Sequence, residues 1–285
     1  MPALPEAETQ RGAAPRIDCH GASHPGRVRE RNEDRFAIVA LHHAARLLQS
    51  NLDDGGIVDR LARPTAHVFI AADGVAGGAA GDQASGLAVG TMVEYLAEAA
   101  NCYQGTDAGQ EQEFIDRLTG GVERAHARLV AAYGGGRGPA TTLTMVTLVW
   151  PRAYIVHVGD SRGYLLRRGR IRQFTADQTL GDLFVDLGTM SDEQARQRGL
   201  YDRLSSAVGS DIAPVVGAVD LEAGDALLLC TDGLTKHVPD ARIAQLLAAA
   251  PHAEAACRAL VDDALAQGGK DNVTVVVARF DRAAP

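Results

Sequence analysis

The sequence predicts an α+β domain in which helices pack on antiparallel sheets. Helix-like and strand-like segments come in separate runs along the 285-residue chain, whereas a doubly wound parallel sheet needs them to alternate. Short turns separate the strand-like segments near the middle of the chain, which is typical of antiparallel neighbours. Hydrophobic residues make up 46% of the chain and charged residues 22%, so that one large core can form. We expect a single domain over residues 17–285, after a loose tail at residues 1–16 that is rich in Ala, Pro and Glu.

The first half of the chain predicts two strands and then two helices. The strands are Phe36–Leu41 and Val68–Ala71, and the polar residues 42–65 between them predict a hairpin or a surface excursion. Apolar residues recur at helical spacing over Gln83–Ala100 and again over Glu111–Tyr133. Three glycines at 134–136 are expected to end the second helix.

The second half predicts strands, a long loop, and helices that lead to a last strand. Four β-rich segments with short turns between them predict an antiparallel meander: Leu143–Trp150, Ala153–Val158, Tyr164–Arg167 and Ile171–Phe174. Residues 179–204 predict a loop with a short helix opened by a capping box at Ser191, and because loops of this length are usually functional, we expect a flap there. The remaining predicted elements are strands Val215–Val219 and Ala226–Cys230, helices Asp240–Ala249 and Ala253–Ala266, and strand Val273–Phe280.

Composition and charge exclude several classes of function. The formal net charge of −8 disfavours nucleic acid as a partner, because no basic face is available to displace counterions from a phosphate backbone. No apolar run approaches the roughly 18 residues of a membrane span, and the N-terminus lacks the apolar core of a signal peptide. We therefore expect a cytoplasmic protein with no membrane partner. The four cysteines have no CxxC spacing, which indicates neither a zinc site nor a disulfide framework.

Acidic residues recur in one local context, at the predicted ends of strands. The residues are Glu33, Asp34, Asp73, Asp160, Asp232 and Asp271. Carboxylates gathered at one edge of a sheet repel each other unless cations neutralise them, and a set of oxygen ligands suits Mg²⁺ or Mn²⁺. Taken singly, an Asp-Gly pair is also an ordinary turn dipeptide. The recurrence of the same context favours metal binding.

Seven short motifs stand in a fixed order along the chain. They are residues 26–34 (GRVRERNED), 72–85 (ADGVAGGAAGDQAS), 140–144 (ATTLT), 158–162 (VGDSR), 204–209 (LSSAVG), 229–234 (LCTDGL) and 271–274 (DNVT). With these motifs, the chain from about Cys19 to Phe280 resembles the bacterial metal-dependent serine/threonine protein phosphatases of the protein phosphatase 2C type. The resemblance implies a four-layer α-β-β-α sandwich, two antiparallel sheets flanked by helices, with a binuclear metal centre at one end.

The resemblance also implies a role for each matching residue. Asp73 would bridge two Mn²⁺ or Mg²⁺ ions, joined by the carbonyl of Gly74, while Asp232 and Asp271 complete the first ion's ligands. Glu33 and Asp34 would hold the second ion, directly or through water. Asp160 with Asp232 would bind a third, weaker ion. Arg29 would grip the substrate phosphate, a task that suits its planar fork, although an arginine beside two others is also an ordinary surface charge.

Several positions depart from the pattern or stay open. Many relatives place a histidine just after the Asp-Gly pair, where this chain has residues 75–78 (VAGG), so the usual general-acid candidate is missing. Thr141 and Thr142 are expected only to fill a strand. Arg162 is as compatible with an ion pair that stabilises the fold as with a substrate contact. His24, His157 and His237 are left without a role.

The resemblance implies hydrolysis of phosphoserine and phosphothreonine in proteins by a metal-activated water, with Arg29, Asp73 and Asp232 as the catalytic residues and no phosphoenzyme. Phosphorylated proteins, the products of a serine/threonine kinase, would be the partners. The alternative is a pseudophosphatase, a non-catalytic module that binds phosphorylated partners on the same surface. A set of metal-facing acids argues against that alternative, because phosphate binding alone does not need them. A phosphatase whose flap is gated by a partner is a third possibility.

Overall fold

The computed structural model describes residues 15–42, 45–50, 66–75, 80–99, 108–134 and 138–281. The strands are β1 (Arg16–His24), β2 (Asp34–Leu41), β3 (Ala45–Ser50), β4 (Ala66–Val75), β5 (Ala140–Thr141), β6 (Leu143–Val149), β7 (Arg152–Val158), β8 (Arg162–Arg167), β9 (Arg170–Gln173), β10 (Val215–Asp220), β11 (Ala226–Cys230) and β12 (Val273–Asp281). The helices are α1 (Gly81–Ala99), α2 (Ala108–Tyr133), α3 (Leu180–Asp186), α4 (Asp192–Gln197), α5 (Asp232–Thr235), α6 (Asp240–Ala249) and α7 (Ala253–Ala266).

Two antiparallel sheets lie face to face between two layers of helices. One sheet has the strand order β1-β12-β11-β8-β9, and the other has the order β10-β7-β6-β4-β2-β3, with β5 paired to β4. A core that includes Phe36, Phe69 and Phe280 fills the space between the sheets. A second core joins α1 and α2 to the larger sheet, and a third joins α6 and α7 to the smaller one. The predicted α+β class is confirmed.

The predicted helices and most predicted strands form close to the expected positions. The bounds of α6 and α7 are those that the sequence predicts, and α1 and α2 begin two or three residues earlier than predicted. Their apolar stripes face the cores, as the periodicity requires. Ala100 and residues 135–136 lie outside the described residues, and Gly134 follows α2 with a φ of +77°, a conformation that suits glycine.

The predicted meander is wrong in one respect. Its four strands do not share a sheet: β6 and β7 pair in the larger sheet, whereas β8 and β9 pair at the edge of the smaller one. The chain crosses between the sheets at residues 159–161. Local turn signals mark where strands end but not which sheet the next strand joins, so the sequence pattern could not reveal the crossing.

Besides the two-residue β5, two strands were not predicted. β1 begins at Arg16, the last residue of the expected tail, and pairs with β12 at the edge of its sheet. It carries polar residues such as Asp18 and His20, which weaken the apolar alternation by which strands are recognised. β3 forms inside the polar segment 42–65 and pairs with β2. Residues 1–14 of the tail and residues 51–65 lie outside the described residues.

Residues 179–204 form a compact excursion beside the sandwich. Thr179 caps α3, the capping box at Ser191 opens α4, and Leu200–Asp202 form one turn of 3₁₀ helix. An antiparallel bridge between Thr179 and Leu204 closes the base of the excursion. None of the helices in the described ranges has both the length and the apolar character that a bilayer crossing demands.

Candidate functional site

A cleft of about 490 Å³ opens at the end of the sandwich where β2, β8 and β12 begin and β4, β7 and β11 end. Six of the seven residues proposed as metal ligands line it, namely Glu33, Asp73, Gly74, Asp160, Asp232 and Asp271, and Arg29 lies at the same cleft. Asp34 is not among the lining residues. Residues 202–207 and 210–211 also line the cleft, and they comprise the end of the excursion at 179–204 and the residues that follow it.

Asp34 lies directly behind the cleft and is fully buried. It is paired across the sheet with Asp73, because β2 and β4 run antiparallel in a register that sets these two residues opposite each other. The hydroxyl of Thr231 donates to the Asp34 carboxylate over 2.8 Å, and the amide of Thr274 donates to that hydroxyl over 3.0 Å. The register therefore brings two carboxylates together at one strand end.

Asn272 holds the loop that carries Arg29 and Glu33. Its side-chain carbonyl accepts the amide hydrogen of Glu33 at 2.8 Å, and its amide group donates to the carbonyls of Pro25 and Arg31 at 2.9 and 2.8 Å. All three contacts join sequence positions about 240 residues apart. Asn272 thus positions the loop rather than entering the cleft.

Asp73 is positioned by the two threonines that were expected only to fill a strand. Its backbone amide donates to the Thr142 hydroxyl over 2.8 Å, and its carbonyl accepts from the hydroxyl of Thr141 at 2.9 Å and from the amide of Thr142 at 2.9 Å. The Thr142 hydroxyl is also 2.7 Å from that of Ser161, beside Asp160. These threonines therefore tie two of the acidic residues to one another, a role the sequence analysis missed.

Asp232 begins helix α5 and forms an ion pair with Lys236, one helical turn further on. The other carboxylate oxygen of Asp232 is buried and has no hydrogen-bond partner within the described residues. Gly233 follows, and a Cβ there would collide with the carbonyl of Asn272. Only glycine therefore lets α5 start this close to the strand β12 that Asn272 precedes. Lys236, which also lines the cleft, was not singled out from the sequence.

Arg29 and Asp271 form an ion pair at the rim of the cleft. Nε of Arg29 lies 2.9 Å from one carboxylate oxygen of Asp271, and an Nη donates to the other over 3.1 Å. The Arg29 side chain is 47% exposed, so its guanidinium is open to a ligand from solvent.

The crowded carboxylates disturb each other's ionisation. Burial and the neighbouring charges of Asp232 and Asp271 raise the pKa of Asp34 to about 7, against the hydrogen bonds that it accepts. Burial and the charge of Asp232 likewise raise the pKa of Asp160 to about 7. The pKa of Asp73 rises well above its usual range through burial and the charges of Asp34 and Asp232. Ionising the whole set costs free energy that bound cations would offset.

The donor set fits hard divalent cations. It consists of carboxylate oxygens with backbone carbonyls beside them, and Gly81 leaves room for Glu33, whose Oε1 would lie 2.7 Å from a Cβ at position 81. No three acidic, histidine or cysteine side chains within the described residues already converge as a metal site. Lys236 and Arg29 engage Asp232 and Asp271 instead, so ion binding requires these two pairs to loosen.

The residues left open in the sequence lie outside the cleft. Arg162 makes a bidentate ion pair with Asp177, with contacts of 2.7 to 3.0 Å. Of the two roles left open for it, this is the ion pair that stabilises the fold. His157 is buried, 2.9 Å from the hydroxyl of Thr144. His24 accepts the amide hydrogen of Gly26, and His237 accepts that of Lys270. Among the described residues, no histidine lines the cleft.

Comparisons with known proteins point to one family. The family model described as protein phosphatase 2C matches residues 53–268. The serine/threonine protein phosphatase PstP of Mycobacterium tuberculosis is 35% identical over 84% of this chain, which spans 45% of that relative's length. The serine/threonine phosphatase stp of Listeria innocua is 29% identical over 81% of this chain and 91% of its own length.

Solved structures share the fold over nearly the whole chain. The crystal structure of the catalytic domain of serine threonine protein phosphatase PstP in complex with two manganese ions superposes with a TM-score of 0.66 at 30% identity. The superposition covers 93% of this chain and 98% of that one. The resemblance inferred from the seven motifs is confirmed, and the chain belongs to the protein phosphatase 2C family.

Proposed function

We propose that this chain hydrolyses phosphoserine and phosphothreonine in proteins, with Mn²⁺ or Mg²⁺ as the cofactor. The observation that carries the proposal is the set of acidic residues that one cleft brings together, five of them lining it with Asp34 buried behind. A fold does not keep so many carboxylates at raised pKa for its own stability, since each one costs free energy. Such a set is expected where cations are bound.

The proposed ligands fall into three groups. Asp73, with the carbonyl of Gly74, would be shared by two ions, and Asp232 and Asp271 would complete the first. Glu33 and Asp34 would hold the second ion, and Asp160 with Asp232 a third, weaker one. When bound, the ions would supply an activated water and positive charge beside the phosphate.

The chain's own residues would orient the substrate. Arg29 offers a planar set of donors at the rim, and once Asp271 turns to a cation, the guanidinium is free to hold two phosphate oxygens. Thr142 and Asn272 fix the backbone of Asp73 and Glu33, so the acids keep their spacing as substrate enters. No covalent intermediate is needed. Cys230 is buried in β11, and burial raises the pKa of its thiol, which makes it a poor nucleophile.

The substrates would be proteins that a serine/threonine kinase has phosphorylated. The enzyme would act on them in the cytoplasm. The relatives of this chain are serine/threonine phosphatases, which supports the substrate class, and the acidic net charge supports the absence of nucleic acid as a partner. The excursion at residues 179–204 would act as a flap, because residues 202–204 at its base lie in the cleft wall. A substrate peptide would therefore pass beside it.

Release of inorganic phosphate from a phosphothreonine peptide tests the proposal. After EDTA treatment and gel filtration, we expect activity only when Mn²⁺ or Mg²⁺ is added back. Asp73→Asn and Asp232→Asn should each lower turnover by several orders of magnitude, because each removes a charged ligand. Asp262→Asn, at an exposed position on α7, is the matched control and should retain full activity. Phosphopeptide binding without turnover under any metal condition would favour the pseudophosphatase instead.

A further inference from the structure

The hairpin of β8 and β9 concentrates positive charge on a chain whose net charge is −8. Four of the six residues 167–172 are arginines. β9 is the outermost strand of the smaller sheet, so this charge lies along an exposed edge. None of these arginines belongs to the cleft already described.

The register places three of the arginines on one face of the hairpin. Arg167 stands opposite Arg170, and Leu165 stands opposite Arg172. Leu165 packs into the core between the two sheets, so alternation along the strands turns Arg167, Arg170 and Arg172 to the same inner side. That side borders a groove of about 640 Å³ that is lined by Leu165 and the four arginines.

Only part of this charge is neutralised within the protein. Arg167 makes a bidentate ion pair with Asp225 and also donates to the carbonyl of Asp220 over 2.7 Å, which closes one end of the groove. The 80% exposed Arg168 reaches Glu222 at 2.8 Å. Within the described part of the chain, neither Arg170 nor Arg172 has an acidic partner. The positive charges of Arg170 and Arg172 are therefore the ones that remain available to an acidic ligand.

The other sheet presents an apolar surface on the same open side of the sandwich. β10 is its outermost strand, and Val219 packs against the core between the sheets. By alternation Val215 lies on that same face, yet 54% of its surface is exposed. Val215 pairs with His157 near the cleft end of β7, whereas Asp220 pairs with Arg152 at the far end. Val215 does not line the groove but lies nearer the cleft, where residues 174–178 cross between the sheets: the carbonyl of Ala176 is 3.0 Å from His157, and Gln178 donates to the carbonyl of Ala213 over 2.9 Å. A chain that runs from the groove towards the cleft therefore passes over this crossing and Val215.

We infer that this groove docks an extended segment of the protein substrate that carries acidic residues, with an apolar residue between them and the phosphorylated one. Acidic side chains would reach Arg170 and Arg172, and an apolar side chain would cover Val215, which lies nearer the cleft than the groove does. Arg162, two residues after Asp160, marks the cleft end of β8. Arg172 and Arg170 stand opposite residues three and five positions further along β8, which is about 10 and 17 Å at roughly 3.4 Å per residue. These distances correspond to about three and five residues of extended chain, so the acidic residues would stand at least about three to five positions from the phosphorylated one. The substrate role rests on the proposed phosphatase activity, whereas binding of the segment does not.

Fluorescence anisotropy with a labelled peptide of alternating Glu and Leu, without phosphate, tests the docking by itself. We expect the double variant Arg170→Glu and Arg172→Glu to weaken binding at least tenfold at low ionic strength. The peptide affinity of the milder double variant Arg170→Gln and Arg172→Gln should lie between those of the glutamate double variant and the wild type. Arg117→Glu with Arg258→Glu changes the net charge equally on exposed helix faces and is the matched control. Melting temperatures verify that each variant is folded.

A second arm links docking to catalysis. Wild-type kcat/KM should be higher for a phosphopeptide with the Glu-Leu extension than for one with a Gln-Leu extension, and this preference should vanish in the Arg170 and Arg172 variants. Hydrolysis of nitrophenyl phosphate should be equal in all variants, because that substrate does not reach the groove. Equal peptide affinity in wild type and variants, or an equal loss in the control, would overturn the inference and leave the arginines as charges that keep an edge strand from aggregating. Peptide binding without hydrolysis of any substrate would refute the proposed activity but not the docking.

Discussion

The guanidinium of Arg29 contacts both carboxylate oxygens of Asp271, at 2.9 and 3.1 Å. A positively charged side chain therefore occupies a carboxylate that is proposed to bind a metal ion. The pair is only partly buried, and exposed pairs of this kind contribute little to stability. Arg29 can therefore exchange its contact with Asp271 for one with a substrate phosphate at little cost in free energy. The arrangement indicates that Arg29 becomes available to substrate as Asp271 turns to an ion.

Removal of this guanidinium should weaken substrate recognition. We expect Arg29→Ala to lower kcat/KM for a phosphopeptide by about 2 kcal/mol, or roughly 30-fold, which is the scale of a charge-assisted bidentate contact. Arg29→Lys should recover only part of this loss, because an ammonium lacks the planar fork. Arg31→Ala, a neighbouring exposed arginine, is the control in the same steady-state assay. An unchanged kcat/KM in Arg29→Ala would assign Arg29 to the solvated surface.

The metal-free protein should lose stability as the pH rises. Asp34 and Asp160 have folded-state pKa values of about 7, above the value near 4 of an unfolded Asp, so the folded state binds more protons between these limits. The free energy of unfolding then falls as pH rises from about 4 to 7. If ionisation of these two carboxyl groups lowers the free energy of unfolding by about 2 kcal/mol, the melting temperature in EDTA should fall by roughly 4–8 °C between these pH values.

The variant Asp34→Asn isolates this effect from other titrations. It keeps the shape of the side chain and its contact with Thr231 but removes the buried charge. The metal-free variant should therefore be more stable than the wild type at pH 8, and the difference should shrink towards pH 5. Thermal unfolding in EDTA across this range is the measurement. A difference that is constant with pH would show that Asp34 has the same pKa in the folded and the unfolded protein and is therefore already ionised throughout this range.

Lys236 should compete with divalent ions for Asp232. Its ammonium forms an ion pair with the Asp232 carboxylate and lies 4.0 Å from Asp271, so it already neutralises part of the cleft. We expect Lys236→Gln to bind Mn²⁺ about 3- to 10-fold more tightly in calorimetric titration, since roughly 1 kcal/mol of competing attraction is lost. The same variant should be less stable without metal. Lys270→Gln is the matched control, and an equal shift in both variants would contradict a specific competition.

The sequence predicted the local elements better than their assembly. The bounds of helices α6 and α7 were predicted correctly, because their apolar periodicity is a local property. The pairing of Asp34 opposite Asp73 is a sheet register, and no pattern within either strand contains it. Thr142 and Lys236 were missed for the same reason, because a hydroxyl that accepts from Asp73 and an ammonium beside Asp232 have no signal in composition or spacing.

The absence of a histidine from the cleft should appear in the leaving-group dependence. His24 and His237 accept backbone amide hydrogens, and among the described residues no histidine lines the cleft where it could protonate the departing oxygen. The chain then forfeits part of the roughly 10²- to 10⁴-fold that a general acid supplies. Across a series of aryl phosphates at fixed Mn²⁺, kcat/KM should fall steeply as the pKa of the leaving phenol rises, because weakly acidic phenols need a proton to depart. His24→Ala and His237→Ala should give the same slope as the wild type. A flat series, or a histidine variant that loses phosphopeptide hydrolysis while it retains nitrophenyl phosphate hydrolysis, would reveal a general acid that the cleft geometry does not.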